Sequence, residues 1–185
     1  MPKIVEDEQV YIAAIQMVME RGYAGATTKL IADAADISEV TLFRKFGSKA
    51  ELVKQAIAML TEKVDLQSAA RYSGDVTADL LCVVQAYQAS AEKYGQFFYL
   101  MLSEIPRFAE LAEMLVAPFT MMEYVGQLLA RYQAEGVLKE EHPMHAVAGL
   151  LGPLISINVI RAAAPAGPLP PLDLTEHVAG YLNGR

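Results

Sequence analysis

Between Thr41 and Lys49 the chain places three bases, Arg44, Lys45 and Lys49, and no acid. The protein as a whole carries a formal net charge of −7. A guanidinium and two ammonium groups on so short a stretch can neutralise phosphates, and the guanidinium can also pair with a guanine edge. Val40 and Thr41 beside them offer methyl groups of the kind that meet a thymine methyl. A basic surface on an acidic chain grips phosphate locally while the acidic remainder suppresses loose binding elsewhere. Lys49 adds a hint of its own. It stands at the start of a helix, where a positive charge opposes the dipole but suits a bound anion.

Other chemistries find little support. The single cysteine, Cys82, excludes an internal disulfide and a thiolate cluster, and its apolar neighbours predict a buried, inert thiol. His142 and His145 are three apart, but Pro143 intervenes and no carboxylate or cysteine completes a metal-ligand pattern, so they read as surface or helix-start residues. No Glu-x-x-His motif and no nucleophile with its base is visible, so no enzyme, cofactor or metal is expected. Glu6, Asp7 and Glu8 follow the first apolar pair, unlike a signal peptide. The longest mostly apolar run, 146–160, is interrupted by Gly152-Pro153 and falls short of the roughly 20 residues a membrane span needs. A cytoplasmic protein with no membrane partner is the expectation.

The elements that must position the basic stretch are short helices. Val10, Ala13, Ala14, Met17 and Val18 recur at helical spacing, predicting a first helix over about 5–21, ended by Gly22 and Gly25. Thr27 or Thr28 then caps a helix to about Ala35. Asp36 takes the turn, where positive φ is wanted, and Ser38 caps the next helix to about Phe46. Ile31, Ile37, Leu42 and Phe46 face the core, and Ala32 and Ala35 allow close helix approach. Glu39, Val40, Thr41, Arg44 and Lys45 are left facing outward. Ser48 and Glu51 form a capping box that opens a fourth helix to about Ala70.

Further helical patterns lie near 76–94, 96–104 and 107–135, separated by Gly95 and Pro106, with Pro118 expected to kink or split the last. Another spans about 143–163, with a possible kink at Pro153. Residues 165–171 make a stiff Pro-rich connector, and a second capping box, Asp173 to Glu176, opens a last helix to about Asn183. No strand-like alternation and no repeat is visible. The predicted fold is all-α: a three-helix helix-turn-helix domain over 1–50, then a larger helical domain over 51–185.

The sequence resembles the TetR family of bacterial transcriptional regulators. The resemblance rests on Gly22-Tyr23, Ala26-Thr27-Thr28, Ile31-Ala32, Ala34-Ala35, Ile37-Ser38, Thr41-Leu42, Phe46 and Ser48-Lys49-Ala50-Glu51-Leu52, and covers about the first 55 residues. It implies a DNA-contacting helix at about 38–45, with Ser38 at its start, and backbone contacts from Thr28 and Lys29. Two positions depart from the family pattern. Phe43 stands where a tyrosine is common, whose hydroxyl often bonds a phosphate, and Val40 stands where many members carry glycine. These changes bear on which operator is read and how tightly.

The resemblance further implies that the remaining residues bind a ligand and form a homodimer through the last two long helices. The composition suits both. Ala146, Ala148, Gly149 and Gly152 permit close helix contact, and Leu174, Val178, Tyr181 and Leu182 form one stripe. The 76–135 region is rich in aromatic and methionine side chains, which suits a small hydrophobic or aromatic effector. The candidate pocket residues are Tyr87, Tyr94, Phe98, Met101, Phe119, Met122, Gln127 and Asn158. The expected function is a repressor that binds a palindromic double-stranded operator and is released by the effector. The alternatives are a DNA-binding dimer that senses nothing, and a helical-bundle enzyme.

Overall fold

The structure is a computed structural model and describes residues 6–163 and 169–184. Among these residues the regular structure is entirely helical. The elements are α1 (Asp7–Gly25), α2 (Thr28–Ala34), α3 (Glu39–Phe46), α4 (Lys49–Glu62), α5 (Leu66–Ala69), α6 (Val76–Glu104), a 3₁₀ turn (Ala109–Leu115), α7 (Val116–Ala134), α8 (Pro143–Ala163) and α9 (Leu174–Asn183). They form two compact units. The first comprises the described residues up to Lys63 together with Phe97–Ala117, and the second Val64–Gln96 with the described residues from Pro118 onward. This division differs from the expected 1–50 and 51–185. All of α4, and a later arm over 97–117, pack with the N-terminal helices.

In the first unit the local signals act as the sequence predicts. Gly22, at φ 69°, breaks the helical path of α1, and one turn carries on to Gly25. Thr27 caps α2 by accepting from Leu30 N–H, and Ser38 caps α3 by accepting from Thr41 N–H. Asp36 has φ 56°, a conformation that Asp tolerates between the two helices. The core contains Val10, Ala14, Val18, Ile31, Ala32, Leu42, Phe46, Leu52 and Ile57, all buried. Only half of the Ser48–Glu51 capping box forms. Ser48 Oγ accepts from Glu51 N–H at 3.1 Å, but the Glu51 carboxylate takes a bond from Gln55 instead of reaching back.

Several boundaries differ from expectation. The fourth helix stops at Glu62, and Asp65 caps a separate short α5. Gly95 does not divide α6, which runs unbroken for 29 residues. A helical glycine costs about 1 kcal/mol, and the apolar residues α6 buries on either side of it, from Leu80 to Met101, offset that. Pro118 neither kinks nor splits a helix, because α7 begins at Val116 and a first-turn residue needs no N–H partner. Pro153 lies inside α8, which continues to Ala163. In the Pro-rich connector, 165–168 lie outside the described residues, and 169–171 are non-helical. Asp173 caps α9 by accepting from Thr175 and Glu176.

The second unit packs Leu80, Val83 and Val84 of α6 with Val125, Leu128, Leu129 and Tyr132 of α7, Leu150, Leu151 and Leu154 of α8, and Val178 and Tyr181 of α9. Asp79 is a buried carboxylate among them. It accepts from Ser73 N–H at 2.7 Å, Ser73 Oγ–H at 2.6 Å and Tyr132 O–H at 2.5 Å. Burial pushes its pKa up, but the bonds from Ser73 and Tyr132 outweigh that and hold it below the ordinary carboxylate value. Cys82, expected in the core, is exposed: it falls between the positions through which α6 buries Leu80, Val83 and Val84. His142 is a helix-start residue, as expected, with Nδ1 accepting from Met144 N–H at 3.2 Å.

α8 is longer than its apolar run suggests. At 21 residues, with a mean hydropathy of 1.6 over its most apolar 18-residue window, it is long and apolar enough to cross a membrane by length and composition. In this fold it is a core helix on one side, with Ala146, Val147, Leu150, Leu151 and Leu154 buried. Only a third of that window is buried in the single chain, and Val159 and Ile160 are exposed.

Candidate nucleic-acid interface

α3 buries Leu42 and Phe46 and turns Val40, Phe43 and Arg44 outward. These three share one face by their i, i+3, i+4 spacing. Val40 is 78% exposed and Phe43 46%, a large apolar contribution for an eight-residue helix that carries no packing duty on that side. Arg44 is exposed and makes no ion pair among the described residues. Its place in the last turn of α3 also suits the helix dipole. Lys29 is exposed on α2.

A polar brace fixes how α3 sits on α2. Thr28 Oγ–H donates to Glu39 Oε1 at 2.5 Å, tying the first turn of one helix to the first turn of the other. The hydroxyls of Ser38 and Thr41 are 2.9 Å apart. The Thr28 proton and one Glu39 oxygen, both expected at the interface, are thus engaged within the protein.

The other two bases of the 41–49 stretch are also held by the protein. Lys45 pairs with Asp7 of α1 and lies over the Phe46 ring at 5.8 Å. Lys49 donates to the Tyr23 carbonyl at 2.6 Å, with its ammonium 4.1 Å from the centre of the Tyr23 ring. Burial lowers the Lys49 pKa, against the raising pull of Glu110 and Glu104. Burial, with the charge of Glu110, pushes the Tyr23 hydroxyl up to about 12. No local pattern announces these partners, because Asp7, Glu104 and Glu110 are brought in by tertiary packing.

The candidate effector residues divide between the units. Phe98 and Met101 belong to the first, where Met101 is buried and the Phe98 ring lies 6.2 Å from Phe97. Tyr87, Tyr94, Phe119, Met122, Gln127 and Asn158 belong to the second. There Tyr87 and Met122 pack against the core, and buried Asn158 donates to Gln88 at 3.1 Å. Gln127 and Phe119 are exposed. A surface cavity of about 340 Å³ between α8 and α9 is lined by Gly149, Pro153, Glu176, His177, Gly180, Tyr181 and Gly184, and by none of the candidate effector residues.

An α2–turn–α3 pair braced on α1 and α4, with an exposed stripe on its second helix, is a helix-turn-helix unit. Residues 12–56 match the profile of the bacterial regulatory proteins, tetR family. An uncharacterised helix-turn-helix-type transcriptional regulator of Bacillus subtilis, YvkB, is 35% identical over 77 residues, which are 40% of this chain and 39% of that protein. The chain thus matches well under half the length of that relative. Two solved structures share the fold at low identity. The fatty acid degradation regulator FadR from Bacillus halodurans superposes with a TM-score of 0.74 at 19% identity, over 99% of this chain and 95% of its own. The flavonoid-responsive regulator FrrA gives 0.75 at 23% identity, over 96% and 93%. The likeness to the bacterial regulatory proteins of the tetR family thus lies in residues 12–56, and the solved structures extend the shared fold over nearly the whole chain.

Proposed function

We propose that this protein is a transcriptional repressor that binds a palindromic double-stranded operator as a homodimer and is released by a small hydrophobic or aromatic effector. The observation that carries the reading is the Val40, Phe43, Arg44 stripe, exposed on a helix that capping and the Thr28–Glu39 brace hold rigidly. In this reading Val40 and Thr41 meet thymine methyls, Arg44 takes guanine or phosphate, and Lys29, with the residues at the start of α2, touches the backbone. Such a regulator works in the cytoplasm, where its operator is.

Dimerisation through α8 and α9 is supported by what their glycines leave open. A Cβ added at Gly152 or Gly180 would meet nothing within 4 Å, so packing within the chain does not require glycine there. Close approach of a second copy accounts for glycine at these positions in this reading. The exposed Val159 and Ile160 of α8 supply apolar surface for the same contact. A palindromic operator asks such a dimer to present its two α3 helices about one DNA turn, roughly 34–36 Å, or slightly more apart.

The effector class is supported by the aromatic and methionine side chains of 76–135, and by relatives whose names refer to fatty acid degradation and to flavonoids. Effector binding moves the two α3 helices out of register with the half-sites. The test is an electrophoretic shift with the DNA upstream of the protein's own gene, at low salt, followed by titration of fatty acids and flavonoids. Absence of any sequence-specific shift sinks the regulator reading. A specific shift that no compound weakens leaves a DNA-binding dimer without a sensor. Linkage also requires operator DNA to weaken effector binding by the same factor.

A further inference from the structure

Lys49 is held by Tyr23 and feels the charges of two acids of a later segment, Glu104 and Glu110. The arm over 97–117 packs in the same compact unit as α1 to α4, and the Phe108 ring meets the Tyr23 ring edge-on at 5.0 Å. Glu104 sits where a Cβ on Gly22 would lie 3.4 Å from its Oε1, against the residue that precedes Tyr23. Its side chain is only 13% exposed, and its Oε2 is buried with no hydrogen-bond partner. The Arg107 guanidinium stands 3.8 Å from that oxygen, in the ion-pair range but beyond a hydrogen bond. A carboxylate oxygen with one loose ion pair and no hydrogen bond is only partly compensated, and it attracts a further cation held nearby. That cation is Lys49, bonded to the carbonyl and ring of Tyr23.

We propose that Glu104, together with Glu110, holds the Lys49 ammonium back from the DNA backbone, so that the 97–117 arm competes with phosphate for this cation. The inference rests on the DNA-binding reading above and adds a regulatory contact to it. The arm supplies negative charge in place of a phosphate, and Lys49 stays turned toward Tyr23 while the arm is seated. Met101 and Phe98, candidate effector residues, lie about one and two helical turns before Glu104 on α6. An effector that shifts those side chains therefore shifts the carboxylate that restrains Lys49.

The test compares Glu104→Gln with wild type by fluorescence anisotropy, on a duplex from the gene's upstream DNA, between 50 and 200 mM salt. E104Q frees Lys49 for one more phosphate, so it binds more tightly at 50 mM and its log–log salt slope steepens by about 0.9. Its advantage then shrinks by roughly 3.5-fold across that salt range. Glu110→Gln, at an exposed position, carries the same expectation should E104Q fail to fold. Glu113→Gln, which removes the same charge from the Lys54 pair, leaves the slope unchanged. In a Lys49→Gln background the gain disappears. A slope identical to wild type for E104Q and E110Q, or a gain that persists without Lys49, overturns the inference while leaving the DNA-binding reading standing. Wild-type protein that binds no duplex at 50 mM overturns both.

Discussion

Tyr132→Phe removes one hydroxyl from a fully buried ring and leaves the packing of the second unit otherwise intact. In the native protein that hydroxyl donates to Asp79 at 2.5 Å, beside two donors from Ser73. A bond to an ionised acceptor contributes about 1.5–3 kcal/mol, and here it joins α6 to α7, two elements far apart in the chain. For a compact unit of this size each kcal/mol moves the midpoint by about 4–8 °C, so Y132F lowers the Tm by on the order of 10 °C. The pH dependence follows from the carboxylate. Asp79 is held below its ordinary value of 3.8, so the folded state prefers the ionised form more strongly than the unfolded chain does. That contribution is complete above the unfolded value and is lost as pH falls through the folded one. Urea denaturation of wild type and Y132F at pH 7, 5 and about 3.5 should therefore give a constant gap at the first two and a smaller one at the last. A gap under about 0.5 kcal/mol at pH 7, below the range for a charged bond, refutes the role assigned to this network. So does a gap that does not narrow in acid.

Other perturbations test the candidate interface and the dimer. Arg44→Ala separates two roles: a guanine contact gives up about 1–3 kcal/mol of discrimination at one base pair, while a phosphate contact weakens all duplexes alike and reduces the salt slope by about 0.9. Unchanged binding and slope would remove Arg44 from the interface. Phe43→Tyr supplies the hydroxyl that is common at the matching position of the family this segment resembles. Because Phe43 is half exposed, the change leaves folding untouched, and a new bond to an ionised phosphate of about 1.5–3 kcal/mol tightens DNA binding by roughly 10-fold or more, seen by anisotropy. Gly180→Leu places a bulky side chain where the single chain is open. The helical circular dichroism should persist while sedimentation shows monomers, and a dimer that survives would place the interface elsewhere.

Much of the helix-turn-helix unit was legible in the sequence because its signals act over three or four residues. A Ser or Thr oxygen at the cap, a positive φ at Asp36 and the burial period of α2 and α3 are set within one turn of chain. The same locality explains the errors. Reading Gly95 and Pro118 as breaks weighs the residue alone, whereas α6 continues on the strength of what it buries, and Pro118 is harmless where α7 begins. Cys82 reads as buried from its neighbours in sequence, although the facing of α6 toward the second core decides its exposure.

The sequence by itself determined an all-helical chain, the capped pair of short helices, and an outward set containing Val40, Thr41 and Arg44. Composition and hydrogen bonds between near neighbours suffice for those. The tertiary structure alone decided which bases stay free. Arg44 remains exposed, while Asp7 takes Lys45 and the Tyr23 carbonyl takes Lys49, with Glu104 and Glu110 close by. Those partners lie between 26 and 61 residues away in the chain. Electrostatic partnership depends on distance in space and on burial, and neither quantity can be read from spacing along a sequence.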